Sequence, residues 1–201
     1  MACDARFPAE GPSLHRLTLL CHGPSTPAQP MAFPIDEPLD AAALPALSAL
    51  REGLGRVDRC LTSPLLRARQ TAAALAQDVT VEPALRELDL GQWRGRALRD
   101  IHDREPEAAA LWLSAPDAVP HGGESRAQLQ ARVGAWLNAQ MAGRGHTLCV
   151  THAAVIRAAV LHTLGSPPDA FWRLDIEPLS RTELRCDGRR WALRGLNAPP
   201  S

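Results

Sequence analysis

The chain has 201 residues, 45% of them hydrophobic, and this length and composition suit one globular domain with a sizeable core. Lysine plus arginine total 22 and aspartate plus glutamate total 22, so the formal net charge is zero and no general attraction to nucleic acid or anionic membranes is expected. Every basic residue is an arginine and tyrosine is absent. Schiff-base lysines, Walker-type phosphate loops and tyrosine nucleophiles are therefore excluded.

Cysteine usage and the N-terminal segment favour a cytoplasmic location. The five cysteines form no CxxC pair, so neither a zinc knuckle nor a redox dithiol is indicated, and a reducing compartment fits best. They are Cys3, Cys21, Cys60, Cys149 and Cys186. Residues 1–13 carry Asp4 and Glu10 and lack an apolar signal core. The most apolar later stretch, 153–164, contains Arg157 and is too short to span a bilayer.

The first part of the chain predicts strands and helices in alternation. In chain order we expect a strand at 14–21, a proline-rich irregular segment at 25–38, a helix at 41–50, a strand at 57–62, a helix at 64–77 and a strand at 79–81. Asp40 is placed to cap the first of these helices. Ser63 is predicted to cap the second, because Pro64 then occupies the first helical position.

The second part continues the alternation and ends differently. After a glycine-containing loop we expect helices at 97–103 and 106–113, a helix opened by Ser125, a strand at 146–151, a helix at 153–164 and strands at 181–186 and 190–194. Ser125 and Gln128 form a capping box. Asp187-Gly188 between the last two strands is typical of a hairpin turn.

This order of elements predicts an α/β fold. Strand–helix alternation followed by a terminal hairpin indicates a three-layer sandwich, in which helices flank a mainly parallel central sheet. Ligands of such sheets bind outside the carboxyl ends of the strands. His22 and His152 each follow a predicted strand directly. A functional site is therefore expected at these two histidines.

The residues around the two histidines suit an anionic ligand. Gly23 and Ser25 after His22 offer backbone N–H groups and a hydroxyl, and Arg67 lies near the start of a predicted helix. His152 begins a helix whose free N–H groups, including that of Ala153, favour an anion. Glu87, before a glycine loop, adds a proton donor.

Four blocks in this order resemble the histidine phosphatase superfamily, whose fold is phosphoglycerate-mutase-like. The blocks are LLCHGPS at 19–25 against the family's RHGx[ST], TSPLLRARQTA at 62–72 against its second-arginine block, ELDLGQW at 87–93 against ExxxGxW, and VTHAAVIR at 150–157 against V[ST]HxxxIR. The resemblance covers residues 14–197, which predicts one domain there, an N-terminal extension at 1–13 and a tail at 198–201. In size the chain is similar to bacterial phosphatases such as α-ribazole phosphatase.

The resemblance implies a role for each of these residues. His22 would attack phosphorus to give a phosphohistidine that water then hydrolyses. Glu87 would protonate the leaving oxygen, Arg67 would grip the phosphoryl group, and His152, cationic with phosphate bound, would stabilise developing charge. Gly23, Ser25 and Ala153 would add substrate-binding groups. No metal or cofactor is expected.

The sequence departs from the family pattern at two positions. Cys21 stands where the family box has arginine, and Ala28 stands where many members have asparagine. Losing one preorganised donor typically costs about 10²–10³ in rate. We therefore consider Arg16, or an arginine within 94–99, as a replacement for the missing guanidinium.

Several neighbouring residues have two interpretations. Cys21 does not begin the Cys-x5-Arg loop of cysteine phosphatases, because Pro27 stands where that loop has arginine. The favoured interpretation of Cys21 is therefore a small residue at a strand end. Trp93 lies in the core or walls the pocket. His121 is a loop residue or lines the site, and Glu124 is expected to serve the following helix N-terminus rather than catalysis.

These features predict a metal-independent phosphomonoester hydrolase that acts on a small phosphorylated metabolite through a phosphohistidine at His22. The alternative, motivated by Cys21, is a catalytically weak member that binds a phosphorylated ligand or partner. A mutase-type phosphotransferase is a second alternative, disfavoured because the 105–120 region is short and not basic. Neither nucleic acid nor membrane is an expected partner.

Overall fold

The computed structural model describes residues 14–26 and 31–199. The predicted N-terminal extension at 1–13, the position of Ala28 and the last two residues of the predicted tail lie outside this part of the chain. Everything below concerns the described residues.

A six-stranded sheet forms the centre of the molecule, in the order β3-β2-β4-β1-β5-β6. Its strands are β1 (His15–Cys21), β2 (Arg59–Thr62), β3 (Val79–Val81), β4 (Gly145–Thr151), β5 (Arg181–Cys186) and β6 (Trp191–Ala198). Strands β1 to β4 run parallel to one another, and β5 is antiparallel to both β1 and β6. The predicted mainly parallel sheet with a C-terminal hairpin is confirmed.

Helices cover both faces of the sheet. They are α1 (Leu44–Gly53), α2 (Leu66–Leu75), α3 (Leu98–Arg104), α4 (Pro106–Ser114), α5 (Arg126–Gln140) and α6 (Ala153–Leu164), with four short 3-10 helices at Ala41–Ala43, Pro83–Leu85, Gly91–Trp93 and Pro168–Arg173. Among the described residues, no helix combines the length and the apolar character needed to cross a membrane.

Successive residues of the central strands point to opposite faces, which creates two cores. In β1, Leu19 belongs to the core beneath α5 and α6, while Leu20 belongs to the core beneath α1 and α2. In β4, Cys149 and Val150 divide in the same way. This period-two alternation of buried apolar residues is what an inner strand covered on both faces requires, and it produces the predicted three layers.

The start of α2 differs from the prediction. The helix begins at Leu66 rather than after Ser63, and the side chain of Asp36 caps it by accepting from the Leu66 N–H at 2.6 Å. Ser63 stays outside the helix because its hydroxyl bonds a histidine in the site described below. The helix also ends at Leu75, two residues before the predicted end. The predicted caps at Asp40 and Ser125 are both present.

Asp187 and Gly188 lie in the turn of the terminal hairpin, as the sequence predicts. The Asp187 carboxylate accepts from the backbone N–H groups of Arg189 and Arg190, at 2.9 and 3.0 Å. Gly188 has a φ of 85°, a conformation that favours glycine. Strand β6 extends to Ala198, one residue past the predicted domain boundary.

Candidate active site

Three parallel strands end at the same edge of the sheet and deliver three polar side chains there. His22 follows β1, Ser63 follows β2 and His152 follows β4. Because β4 lies between β1 and β2, these side chains converge. The imidazole rings of His22 and His152 are 5.0 Å apart, centroid to centroid, in an edge-to-face arrangement.

The hydrogen bonds of His22 define its tautomer. Nδ1 lies 2.6 Å from the carbonyl oxygen of Gly23, which can only accept, so Nδ1 carries the proton. Nε2 therefore presents a lone pair, which accepts a hydrogen bond from Nε of Arg67 at 3.0 Å. Burial and, secondarily, the charge of Arg67 lower the pKa of His22 to about 4. At neutral pH the ring is therefore uncharged.

Gly23 and Thr71 hold the loop after His22 in place. The Gly23 N–H donates to the Thr71 hydroxyl at 3.0 Å, and that hydroxyl donates to the Arg67 carbonyl at 2.7 Å. This chain of bonds ties the histidine loop to the first turns of α2. Thr71 lies inside the second-arginine block, but its spacing of four from Arg67 was the only sequence signal for this role.

Arg67 is the central cation of the site. Its side chain is completely buried, and its Nη2 donates to Nδ1 of His152 at 3.2 Å and lies 3.5 Å from a carboxylate oxygen of Glu87. Among the described residues Nη1 has no hydrogen-bond partner, although Glu37 lies 3.8 Å away. A buried guanidinium nitrogen without a partner is costly unless a ligand satisfies it. It therefore marks a place for an anion.

His152 is held by two neighbours on opposite sides of its ring. Nδ1 accepts from Arg67, so Nε2 carries the proton and donates to Oγ of Ser63 at 2.7 Å. Burial, followed by the charges of its neighbours His22 and Arg67, lowers the pKa of His152 well below its usual value. Without an anion the ring is neutral, and the cationic state expected from the family resemblance requires bound phosphate.

Glu87 reaches the two histidines from the loop after β3. One carboxylate oxygen accepts from the Leu88 N–H at 2.9 Å, while the other lies 3.4 Å from Nδ1 of His152. Burial raises the pKa of Glu87, and Arg67 acts against that rise. A carboxyl group with a raised pKa beside a nucleophile is suited to general acid chemistry.

His22, Glu87 and His152 are spaced so that they could also hold a metal ion, with one ligand atom of each within 4.8 Å of the others. The lone pairs of both histidines, however, already accept hydrogen bonds from Arg67. The positive guanidinium at the centre of the trio repels a cation and attracts an anion. The donor set therefore suits a phosphate group better than a metal.

Ala153 and Ser25, two of the predicted substrate-binding residues, lie in different parts of the site. Ala153 is the first residue of α6, so its backbone N–H is one of the free groups at the helix N-terminus. Ser25 forms a backbone bridge with Leu39 on the rim. Among the described residues, its hydroxyl makes no hydrogen bond to the side chains at the centre of the site, which are His22, Arg67, Glu87 and His152.

Cys21 is buried beside this cluster. Its side chain is 2% exposed, and burial, reinforced by the nearby Glu87, raises its pKa to about 12. A thiol with that pKa is a poor nucleophile at neutral pH. The interpretation of Cys21 as a small buried residue is therefore favoured over a catalytic one.

Two of the arginines considered as replacements for the missing guanidinium are engaged away from the site. Arg16 pairs with Glu183 at 3.1 Å, and Arg96 pairs with Glu105. Arg94 lies 3.7 Å from Asp89 and lines a small cavity together with Glu87. The second cation that influences the site is instead Arg157 on α6, which acts to lower the pKa of both Cys21 and Glu87. Arg157 is the last residue of the VTHAAVIR block at 150–157. It follows Ala153 by one helical turn, and this spacing was the sequence signal that could have placed it near the site.

Three further candidates are structural. Trp93 is fully buried in the core, where its indole N–H donates to Glu105 at 3.1 Å. His121 packs against the Trp93 ring at 5.2 Å and accepts from the Gly123 N–H. Glu124 accepts from Arg132 at 2.8 Å, so it anchors α5 rather than serving the site.

Comparisons with known proteins show the family and the fold that the chain shares. The sequence model of the histidine phosphatase superfamily (branch 1) matches residues 17–199. The chain is 34% identical over 142 residues to a bifunctional protein of Mycobacterium tuberculosis, covering 67% of this chain and 39% of that protein. It therefore spans about two fifths of that relative's length. It is 27% identical over 149 residues to the adenosylcobalamin/alpha-ribazole phosphatase of Escherichia coli, covering 70% and 73%. The structure of mycobacterial glucosyl-3-phosphoglycerate phosphatase is similar, with a TM-score of 0.81, 27% identity and coverage of 92% and 99%.

Proposed function

The chain belongs to the histidine phosphatase superfamily, and from that membership we propose that it is a metal-independent phosphomonoester hydrolase that works through a phosphohistidine at His22. The observation that carries the proposal is the bonding of His22. Its Nδ1 proton is held by the Gly23 carbonyl, and its Nε2 lone pair accepts from Nε of Arg67, whose Nη1 has no hydrogen-bond partner among the described residues. The proposed nucleophile, His22, and the proposed anion-binding group, Arg67, are therefore in direct contact.

In the first step, Nε2 of His22 attacks phosphorus in line while the bond from phosphorus to the alcohol oxygen breaks. Glu87 gives its proton to that oxygen, so the alcohol leaves neutral. The raised pKa of Glu87 favours the protonated carboxyl group that this step uses. In the second step, water attacks the phosphohistidine, Glu87 takes the water proton, and inorganic phosphate and free His22 are restored.

Positioning and charge stabilisation supply most of the catalysis of phosphoryl transfer. Arg67 moves its hydrogen bonds from the two histidines to the phosphoryl oxygens, which a guanidinium can bind with two parallel bonds. His152, oriented by Ser63, donates to the same oxygens once the anion has raised its proton affinity. The Ala153 N–H at the start of α6 adds a helix-terminal donor.

The test is turnover of p-nitrophenyl phosphate by the wild type and by His22→Ala, with and without EDTA. We expect turnover that EDTA leaves unchanged and that His22→Ala abolishes. His102→Ala, which removes an exposed histidine on α3, is the matched control and should keep full activity. An acid-labile phosphoprotein should be trapped by rapid quenching in the wild type alone. Loss of activity in EDTA with recovery in magnesium would reject the metal-independent mechanism.

Cys21 favours one competing function. Where the family box has a second cation, this site has a buried neutral thiol. A member with weakened turnover could still bind a phosphorylated ligand through Arg67. Measurable phosphate binding together with turnover no greater than that of His22→Ala would favour this binding function over hydrolysis.

A further inference from the structure

We propose that the substrate's alcohol part is an uncharged aromatic or other flat apolar group, and that it binds in a cavity formed by α4, α6 and the loop around Phe33. The inference rests on the proposed hydrolysis at His22 and names the class of phosphomonoester used. Glu87 and Ala153, which belong to the phosphate site, also line this cavity. The leaving oxygen that Glu87 protonates is therefore at the cavity's entrance.

The walls of the cavity are mostly aromatic. Phe33, Trp112, Trp172 and Phe171 form a continuous series of edge-to-face contacts, with neighbouring ring centroids 5.6, 5.0 and 5.0 Å apart. Trp172 is 41% exposed and Leu113 is 49% exposed, so apolar surface is left open to solvent beside the site. Aromatic walls of this kind favour flat apolar ligands that add ring contacts to the existing set.

The size of the cavity selects against a very small alcohol. Its volume is about 410 Å³. An engineered apolar cavity of about 150 Å³ in another protein holds one benzene molecule. A substituted or bicyclic ring therefore fits here, whereas a three-carbon polyol would leave most of the apolar surface in contact with water.

The charges around the cavity disfavour an acidic alcohol part. Besides Glu87, the charged residue that lines it is Arg157. The Arg157 guanidinium is already engaged, since Nε donates to the Leu174 carbonyl at 2.8 Å and the flat face lies 5.4 Å from the Phe171 ring centroid. It also faces Asp175. A substrate carboxylate would have to compete with these partners for Arg157 and would approach the carboxyl group of Glu87, so phosphorylated acids are disfavoured.

The test compares alkyl phosphates that all leave as aliphatic alcohols, so that each makes a similar demand on Glu87. Benzyl phosphate and 1-naphthylmethyl phosphate represent the proposed class, while glycerol 3-phosphate and phosphoserine represent polar and acidic alcohols. We expect kcat/KM to be on the order of 10–100-fold higher for the two aromatic esters, mainly through a lower KM. Glycerol 3-phosphate and phosphoserine being hydrolysed as well as benzyl phosphate would overturn the inference.

Substitutions of residues that line the cavity test whether the preference for aromatic esters arises there. Trp172→Ala should lower kcat/KM for benzyl phosphate about 10-fold and leave that for glycerol 3-phosphate nearly unchanged. Leu113→Ala should act in the same direction with a smaller effect. Leu111→Ala is the matched control, because Leu111 is 50% exposed on the same helix but does not line the cavity. Equal losses on both esters in Trp172→Ala would contradict the assignment.

Binding of phosphonates, which are not hydrolysed, separates this inference from the proposed function. Tryptophan fluorescence titration with benzylphosphonate should give a Kd on the order of tenfold lower than with ethylphosphonate, and Trp172→Ala should remove the difference. If no ester is turned over but this difference is found, hydrolysis fails and the cavity assignment stands. If esters are turned over but the two phosphonates bind equally, the cavity assignment fails and hydrolysis stands.

Discussion

Nε of Arg67 lies 3.0 Å from Nε2 of His22 and donates to the same lone pair that we propose attacks phosphorus. The guanidinium thus occupies that lone pair and, after burial, is the second cause that lowers the pKa of His22. We expect the oxygens of an incoming phosphoryl group to compete for the guanidinium and so to release the lone pair. Substrate binding would then be coupled to exposure of the proposed nucleophile.

Replacing Arg67 tests this coupling. In Arg67→Met we expect kcat/KM to fall by about 10²–10³ because a preorganised phosphate donor is lost. The pKa of His22 should rise from about 4, since the charge of Arg67 is, after burial, the second cause that lowers it. NMR titration of the His22 ring measures this rise. Arg69→Met removes an exposed arginine of the same helix and should change neither quantity; an unchanged His22 pKa in Arg67→Met would refute the coupling.

The pH dependence of kcat/KM should follow His22 and Glu87. His22 must be unprotonated, so activity falls as the pH drops through about 4. Glu87 must be protonated in the first step, so activity also falls as the pH rises through its pKa, which burial places above the ordinary value. The profile is a bell with an acidic optimum. Profiles measured with the substrate's own ionisation titrated separately test this, and a flat alkaline side would reject Glu87 as the acid.

Glu87→Gln gives a sharper test of the acid role because it depends on the leaving group. Benzyl alkoxide is a poor leaving group and needs a proton, so we expect a loss of about 10²–10⁴ in kcat on benzyl phosphate. The p-nitrophenolate ion leaves without a proton, so the loss on p-nitrophenyl phosphate should be much smaller. Equal losses on both esters would assign Glu87 to binding or positioning instead.

The fold and the four central residues could be predicted from the sequence because local signals there agree with the final structure. An apolar run followed by a histidine occurs twice, and both runs became inner parallel strands that end at one edge. Ser63 shows where such local inference fails. Ser-Pro before an apolar helix is a capping signal, yet its hydroxyl bonds His152, 89 residues away, and Asp36 provides the cap. Long-range partners of this kind leave no local pattern.

Arg157 and the aromatic cavity could not be predicted for the same reason. Arg157 acts on Cys21 only because α6 packs over the end of β1, a relation between elements far apart in the chain. Phe33 and Trp172 are separated by more than half of the sequence, but both reach Trp112. The structure places Trp112 and Trp172 around an open cavity, and no pattern in the sequence relates these two residues.

Acid should destabilise the fold below pH 6.5 through buried histidines. His15, His146 and His152 have pKa values lowered by burial, so the folded state binds fewer protons than the unfolded state, whose histidines titrate near about 6.5. Their contribution to stability is complete above that pH and is lost as the pH falls toward the lowered values. Melting temperatures at pH 7.5, 6.5, 5.5 and 4.5 should decline below 6.5, with His102→Ala, at an exposed site, as the control. A constant Tm over this range would contradict the expectation.

Cys21→Arg tests whether the missing guanidinium limits activity. The resemblance places an arginine here, next to the nucleophile, and Arg67 already supplies part of the cationic field, so we expect kcat/KM to rise on the order of 10–10³. The new charge should also lower the pKa of Glu87, which moves the alkaline limb of the pH profile to lower pH. Because the thiol is only 2% exposed, overpacking can cost about 1–3 kcal/mol of stability, so Tm is recorded beside the kinetics. Cys21→Leu, a larger but uncharged side chain, separates size from charge and should give no gain. A folded Cys21→Arg protein with unchanged kcat/KM on several esters would mean that Arg157 and the start of α6 already fulfil the arginine's role.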